Sequence, residues 1–558
     1  MPNTVTAINE NCKNCHRCIR QCPVKAICFT DNRAHTIWED CVLCGRCFLV
    51  CPQHAKRISN ETEKVKGFLK AGYKVVASLD PSFVAKFENV SMDGMRQGLR
   101  TLGFFDAEDA SLGATIVKRE YERILKEEKP DILITSSCHS VNLLVQKYYP
   151  QLLPYLANVV SPMEAHCQDI KRRHPEVKTV YISPCVSKRD EAEQCLSVDA
   201  VLTFKELSKW MLAESILLEK TTEENNKKIC RAGMFPVVGG IIKSMDVLPD
   251  YEYIAIDGMK SCISALKDIE AGDIHKCFFE MSSCFGGCVG GPLLDHYYHS
   301  SIKEHIAVCR RVGEFDCDVV QPPVQSVRKD FLAIHRNVAE PTEEEITEIL
   351  NKMGKFKRSD ELNCGFCGYH SCREKATAVY LGKAETSMCL PFLKDKAESF
   401  SHSIVKHTPN GIIVLNEGLI IREINDAARN ILKITDVESV LNQYIGNYLE
   451  AEPFKEVLTT KENLRERRMF LEKYDCFVDQ TIVYVQDSQR LICILRDVTN
   501  EEEKRIKMEN ISQETIMVTD RIVASQMRIV QDIASLLGET AAQTKIELAK
   551  LKESMSDD

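Results

Sequence analysis

The stretch Phe279-Glu-Met-Ser-Ser-Cys284-Phe-Gly-Gly-Cys288-Val-Gly-Gly291 decides how this chain is read. Two cysteines stand four apart, with Gly286 and Gly287 between them and Gly290 and Gly291 just beyond. Glycine lets a backbone approach a bulky inorganic group and take up positive φ. Thiolates are the soft ligands that iron–sulfur clusters require. Two cysteines do not complete such a site. The partners in suitable surroundings are Cys138, in Thr135-Ser-Ser-Cys138, and Cys185, in Ser183-Pro184-Cys185-Val-Ser-Lys188. Each follows a short apolar, β-rich run (Ile132-Leu-Ile and Val180-Tyr-Ile), which places it at a strand end. Cofactor crevices in open α/β sheets form outside such ends. Any one of these cysteines alone reads equally well as a packed core thiol; the set does not.

Working outward, 558 residues exceed a single core and predict roughly three to five domains. No run approaches the ~18 apolar residues of a membrane span. The amino terminus has no charged-then-apolar leader, so cytoplasmic residence is the expectation. The formal charge of −9 comes without a basic patch, which argues against nucleic acid as a partner. Twenty-six cysteines would imply disulfides in a small secreted chain, but here they cluster at metal-binding spacings.

Residues 1–62 hold the clearest of these clusters. Cys12-x2-Cys15-x2-Cys18-x3-Cys22-Pro23 is followed by Cys41-x2-Cys44-x2-Cys47-x3-Cys51-Pro52. This is the bacterial two-cluster ferredoxin run, in which the fourth cysteine of each motif ligates the other cluster. One [4Fe-4S] cluster is therefore expected on Cys12, Cys15, Cys18 and Cys51, and the other on Cys41, Cys44, Cys47 and Cys22. The role that follows is electron relay.

Residues 66–325 alternate strand and helix, with Val75-Val-Ala-Ser-Leu as a strand, Met92 to Leu102 as a helix and Ile132-Leu-Ile-Thr as a strand again. This predicts an α/β layered domain. Cys167, Cys195, Cys230, Cys262, Cys277, Cys309 and Cys317 lack metal-like spacing and are read as core or incidental.

The order and local contexts of Cys138, Cys185, Cys284 and Cys288 resemble the cluster ligands of [FeFe]-hydrogenases. Ser183-Pro184-Cys185-Val-Ser-Lys188-Arg-Asp-Glu191 matches that family's second motif in part, and the 279–291 stretch matches the third almost fully. The resemblance covers roughly residues 1–320. It implies an H-cluster: a [4Fe-4S] cubane joined, through Cys288 by position, to a two-iron unit carrying CO, cyanide and a bridging dithiolate. Asp80-Pro81-Ser82 stands where the family has a turn lining the cluster pocket, and Pro184, Glu191, Ser282, Gly286 and Gly287 complete the expected surroundings. Lys188 would donate to a cyanide, since an ammonium is a compact charge with three donors. The organometallic centre would do the hydrogen chemistry while the protein positions it.

The departures from the family matter as much. Its proton relay runs through a cysteine before the first ligand, then a glutamate, a serine and an outer glutamate. Here Ser137 takes the cysteine position, Glu122 is kept, Arg119 takes the outer glutamate and Ala157 the serine. Arginine does not give up its proton in a protein and alanine has none to give, so the usual route is expected to be absent. Ser282 and Ser183 replace two pocket methionines, and His139 replaces a proline. Ser137 or His139 is the candidate substitute relay. Polar groups in place of thioethers should alter the centre's potential.

Beyond Gln321-Pro-Pro, residues 335–395 carry Cys364-x2-Cys367-x4-Cys372-x16-Cys389-Leu-Pro391. These four predict a further [4Fe-4S] cluster, with zinc as the alternative. Residues 398–500 resemble a PAS domain. A hairpin turning at Asn416 to Gly418 leads to an Asn425-Asp-Ala-Ala helix, and the runs from Thr481 and Leu491 fit its last strands. In the 503–558 tail, Val523, Met527, Val530, Ala534, Leu537, Ala541, Thr544, Leu548 and Leu551 form a heptad seam, predicting a dimeric coiled coil.

The expected fold is thus multidomain α/β. It runs from an α+β two-cluster ferredoxin domain and an α/β [FeFe]-hydrogenase-like domain to a small 4Fe-4S domain, a PAS domain and a helical coiled coil. That order resembles the sensory [FeFe]-hydrogenases. The resemblance implies H2 and protons as substrates, slow turnover, a redox partner such as ferredoxin, a downstream signalling protein and a homodimer. An ordinary ferredoxin-coupled hydrogenase and a non-catalytic iron–sulfur scaffold are the alternatives.

Overall fold

The computed structural model describes residues 5–7, 11–30, 33–220, 229–294, 301–336, 339–434 and 440–499, with positions 526, 544–546 and 548 of the tail. The heptad seam of 503–558 lies outside the described residues but for those few positions. The chain divides into two compact units, Met1–Thr386 and Ser387–Asp558.

In the first unit the ferredoxin-like part has four short strands, β1 (Val5–Ala7), β2 (Ile27–Thr30), β3 (Arg33–Thr36) and β4 (Lys56–Ile58). β2 and β3 form a hairpin, and β1 pairs antiparallel with β4. The helices Arg17–Gln21 and Arg46–Leu49 each start within a cysteine motif and are N-capped in the left-handed region, by His16 (φ 54°) and Gly45 (φ 68°). A Cβ on Gly45 would stand 2.6 Å from Pro292 and 2.9 Å from Val186. Only glycine permits this approach, so the second cysteine motif lies directly against the loop that carries Cys185.

The α/β region is built on seven strands: β5 (Val75–Leu79), β6 (Asp106–Asp109), β7 (Ile132–Ile134), β8 (Lys178–Ser183), β9 (Ala200–Thr203), β10 (Glu252–Asp257) and β11 (Cys277–Ser282). They form two parallel sheets, β6-β5-β8-β9 and β10-β11-β7. β5 and β7 are buried along their whole length, as strands covered on both faces should be. Val75, Ala77, Leu79, Val180, Ile182 and Leu202 pack with Phe83, Leu99 and Phe204 in one core, while Ile132, Ile134, Phe279 and Met281 pack with Val141, Leu144 and Leu266 in another. Cysteine-bearing loops leave the carboxyl ends of β7, β8 and β11, so both sheets contribute to one crevice.

In the second unit β12 (Gly411–Asn416), β13 (Ile421–Ile424), β14 (Leu464–Leu471), β15 (Cys476–Val485) and β16 (Arg490–Asp497) form one antiparallel sheet ordered β13-β12-β16-β15-β14. β12, β15 and β16 alternate buried and half-buried positions, so one face builds a core from Ile413, Leu415, Val478, Ile482, Leu491 and Leu495. Asn425 is the pin of this unit. Its side chain accepts from the Ala428 and Ile412 N–H groups and donates to the Val405 and Asn410 carbonyls, at 2.7–2.9 Å. Asn425→Ala removes a cap and leaves buried backbone groups unpaired. It is expected to cost on the order of 2–3 kcal/mol, read as a lower thermal midpoint; an unchanged midpoint would contradict the assignment.

Candidate iron–sulfur and active-site centre

The ferredoxin-like part brings its thiols together in two groups. Cys12, Cys15, Cys18 and Cys51 line one cavity, closed by Phe29, Ala34, Ala55 and Lys56. Burial pushes the Cys18 thiol up to about 12; Lys56 opposes this, and the neighbouring Cys15, Cys51 and Cys12 add to it. In the other group burial raises Cys41 to about 11, with Cys22 adding to the shift, and raises Cys44 and Cys47, each of which also faces Cys22. Backbone N–H groups point at three of the sulfurs, from Ala26 to Cys22 (3.3 Å), Leu43 to Cys41 (3.4 Å) and Ala55 to Cys51 (3.2 Å). Thiols that burial keeps protonated become ligands only when a cationic centre displaces the proton. Two groups of four neighbouring thiols, three of the sulfurs accepting from backbone N–H, fit iron–sulfur clusters.

The crevice of the α/β region brings together four more. Cys138 precedes the helix His139–Tyr148, Cys185 follows β8, and Cys284 and Cys288 follow β11. Burial raises Cys185, and Cys138 adds to that shift; Cys284 is pushed up to about 12 by burial, then by Cys185 and Cys138. Cys288 is raised well above the ordinary thiol range by burial, then by Asp80 and the other three cysteines. Gly286 (φ +81°) and Gly287 (φ +79°) turn the loop, and a Cβ on Gly287 would lie 2.5 Å from the Pro236 carbonyl. Four facing thiols on such a close-packed loop also fit an iron–sulfur group.

Polar side chains surround this cage. Lys188 begins the helix Lys188–Glu193 and donates to Glu191 Oε2 (2.6 Å) and the Ser137 carbonyl (3.3 Å). Both side chains are buried; burial favours neutral forms, yet each partner's charge holds Lys188 protonated and Glu191 ionised. Asp80, at the end of β5, accepts from Ser82 N–H (2.9 Å), Ser82 Oγ (2.5 Å) and Tyr181 O–H (2.7 Å), and burial raises its carboxyl. Pro81 and Ser82 are buried beside it. Pro184 lies against Gly291, where a Cβ would stand 3.3 Å from its carbonyl. The Ser282 carbonyl, at the tip of β11, accepts from Gly258 N–H (2.9 Å). His139 pairs through Nε2 with Asp190 (2.8 Å).

The residues expected to move protons are arranged otherwise than sequence reasoning anticipates. Ser137 Oγ meets the Tyr121 hydroxyl at 3.0 Å, not Glu122. Glu122 turns away, accepting from Asp246 N–H (2.8 Å) and pairing with Lys118 (3.4 Å). One helical position separates the two, and the 3.6-residue turn aims Tyr121 into the crevice and Glu122 out of it. Tyr121 goes on to Ser136, whose hydroxyl donates to the Val159 carbonyl (2.7 Å), so the chain ends on a backbone acceptor. Arg119 donates to the Val319 and Cys317 carbonyls. Cys230 and Cys317, read above as core or incidental, are joined in a disulfide. Tyr121, Tyr181 and Asp190 carry no motif that would single them out.

In the 335–395 segment Cys372 opens the helix Cys372–Tyr380 and its N–H donates to Asn363 Oδ1 (2.7 Å). Gly365 and Gly368 have positive φ, and Gly368 packs on Ile19 and Arg20 of the first cysteine motif. Lys25 donates to the Gly368 carbonyl (2.6 Å) and Arg20 to that of Phe366 (2.9 Å). Cys389 belongs to the second unit, where it precedes the helix Leu390–His407.

The chain is similar to known proteins along most of its length. Residues 73–292 match the C-terminal domain of the iron-only hydrogenase large subunit, 34–57 the 4Fe-4S binding domain, 360–391 an Fe–S cluster family and 400–498 the PAS fold. Iron hydrogenase 1 of Clostridium pasteurianum is 26% identical over 295 residues, 41% of this chain and 51% of that protein. The large subunit of the periplasmic [Fe] hydrogenase from Nitratidesulfovibrio vulgaris is 24% identical over 287 residues, 41% of this chain and 68% of that one. A cytosolic Fe–S cluster assembly factor of Kluyveromyces lactis is 31% identical over 117 residues, 20% of this chain and 24% of that one. The chain thus spans about half the length of the first relative and about two thirds of the second. A solved [FeFe]-hydrogenase from Chlamydomonas reinhardtii covers 50% of this chain and 100% of its own, at 15% identity and a TM-score of 0.39. Among the described residues no helix is long and apolar enough to cross a membrane.

Proposed function

For this PAS-containing, [FeFe]-hydrogenase-like protein we propose slow, reversible oxidation of H2 to two protons and two electrons, with the redox state passed to a signalling partner. The observation that carries the proposal is the convergence of Cys138, Cys185, Cys284 and Cys288 on one buried crevice beside the Lys188 ammonium. In this reading those four would hold the H-cluster, and Cys288 would be the ligand that links it to the two-iron unit. The two ferredoxin-type groups and Cys364, Cys367, Cys372 and Cys389 each hold a [4Fe-4S] cluster. When bound, the two-iron unit supplies the hydrogen chemistry.

The chain's own residues do the rest. Lys188 donates to Glu191 and the Ser137 carbonyl and would have its third N–H for a cyanide of that unit. Asp80, held by Ser82 and Tyr181, adds a carboxyl to the pocket near Cys288. The Gly45 approach to Val186 sets the second cysteine motif next to the Cys185 loop, so electrons would leave along that side. Proton delivery is the weak element: Arg119 and Ala157 cannot exchange protons, and the Ser137–Tyr121–Ser136 chain stops at a carbonyl. Low turnover suits sensing, which requires occupancy of two states and no large flux.

Ser137→Cys tests that account. A positioned relay contributes about 10²–10⁴-fold, but one thiol added to a chain that still ends at Val159 is expected to raise hydrogen turnover by less than about tenfold. A gain of the full relay size would contradict the dead end. Infrared spectroscopy of protein supplied with the two-iron cofactor, under argon and then hydrogen, tests the reading as a whole. CO and cyanide bands that shift with hydrogen support it. A second reading, an iron–sulfur scaffold without a two-iron unit, is favoured by the likeness to the Kluyveromyces lactis assembly factor. It predicts no such bands beside intact [4Fe-4S] signals.

A further inference from the structure

Far in sequence from the cage, Cys230 and Cys317 are bonded to each other across 87 residues. A disulfide that occurs in a reducing compartment is usually catalytic or redox-sensing rather than structural. The two sulfurs are unequally placed. Cys230 is 2% exposed, packed against Ala114 and Ala232. Cys317 is partly exposed on the 312–319 loop, between Phe315 (56% exposed) and, just beyond the loop, Val320 (68% exposed). The loop is tied to the helix Ser111–Glu127. Asp316 accepts from Lys118 (2.9 Å), Arg119 donates to the Cys317 and Val319 carbonyls, and Ser111 and Thr115 hydroxyls lie 3.6 Å from Cys317 Sγ and Cys230 Sγ.

We infer that Cys230 and Cys317 form a redox-active pair that exchanges with a dithiol partner. The partner's thiolate attacks Cys317 Sγ, the reachable sulfur. The Cys230–Cys317 bond breaks and Cys230 leaves as a thiolate beside the Thr115 hydroxyl. The partner's second thiol then resolves the mixed disulfide. Two electrons and two protons pass to the pair, and the partner leaves as a disulfide. Phe315 and Val320 give that partner an apolar footing around the attacked sulfur. Reduction removes the covalent tie of the 312–319 loop to Cys230, leaving it held by the packing of Val319 on the helix, the backbone bonds of Gly313 to Ile229 and of Arg231 to Phe315, and the Arg231–Asp316 ion pair. This pair operates independently of the H2 reading, because none of its atoms belongs to the cage.

The test uses the full chain with its clusters, under anaerobic conditions, equilibrated with graded ratios of reduced to oxidised dithiothreitol. Samples are acid-quenched, alkylated and mapped by peptide mass, while cluster absorbance is followed in parallel. Cys230 and Cys317 are expected to become alkylated together in a single two-electron transition, with cluster absorbance unchanged. Amide exchange across 312–319 is expected to rise about tenfold on reduction. In Cys317→Ser the transition should vanish and the loop should exchange at the faster rate at every ratio. A pair that stays linked until the chain unfolds is an inert staple and overturns the inference. Free thiols at every ratio overturn it equally.

Discussion

Replacing Cys288 with alanine is expected to abolish hydrogen turnover and to erase the CO and cyanide infrared bands, while the ferredoxin-type clusters keep their absorbance. The control lies close by. Cys262, fully buried on the helix Met259–Ala271, also senses Cys138 and Cys284, which makes it a fifth thiol at the cage. Its Sγ already donates to the Ser282 carbonyl at 3.4 Å. Cys262→Ser should therefore leave the bands in place, at a stability cost on the order of 1 kcal/mol for a small polar change in a packed core. If Cys262→Ser loses the bands and Cys288→Ala keeps them, the ligand assignment is wrong.

Lys188→Ala should produce the second large effect. It leaves Glu191, 2% exposed, as an unpaired buried carboxylate, and breaking such a pair costs roughly 3–5 kcal/mol. Lys188→Met combined with Glu191→Gln should recover much of this loss, because no charge is then stranded. The pair also sets a pH dependence. Burial works to raise the Glu191 carboxyl, but Lys188, then His139 and Lys329, bring it below the ordinary range. A carboxyl depressed in the folded state stabilises above its unfolded value near 4.3 and loses that contribution as pH falls through its lower folded value. The wild-type melting temperature should thus fall on acidification below about pH 4, and the double variant should fall less. Equal acid sensitivity in the two would remove Glu191 from the account.

The grouping of the cysteines was legible because motif cysteines keep strict local spacing and sit in glycine- or proline-marked turns. Cys51 joining Cys12, Cys15 and Cys18 follows from the repeat itself. The antiparallel PAS sheet, with its Asn425 cap, was legible from alternation and turn chemistry. What the sequence hid lies in long-range placement. Strand patterns announced an α/β layer, but the split into two sheets depends on which strands pair, and buried runs such as Ile132–Ile134 are alike on both faces. Tyr121 reaches Ser137 from another element, so no motif links them. The Cys230–Cys317 bond joins two residues with no shared signature, and only the fold brings them together.

Cys389 stands at the N-cap of an 18-residue helix that ends just before β12, the first strand of the PAS sheet. At 1.5 Å per residue that rod is about 27 Å long. Its last turn is fastened to the same unit's sheet, because the Val405 carbonyl accepts from Asn425 Nδ2 at 2.8 Å. Rod end and the turn after β13 are thus stitched together, so a displacement of one is handed to the other.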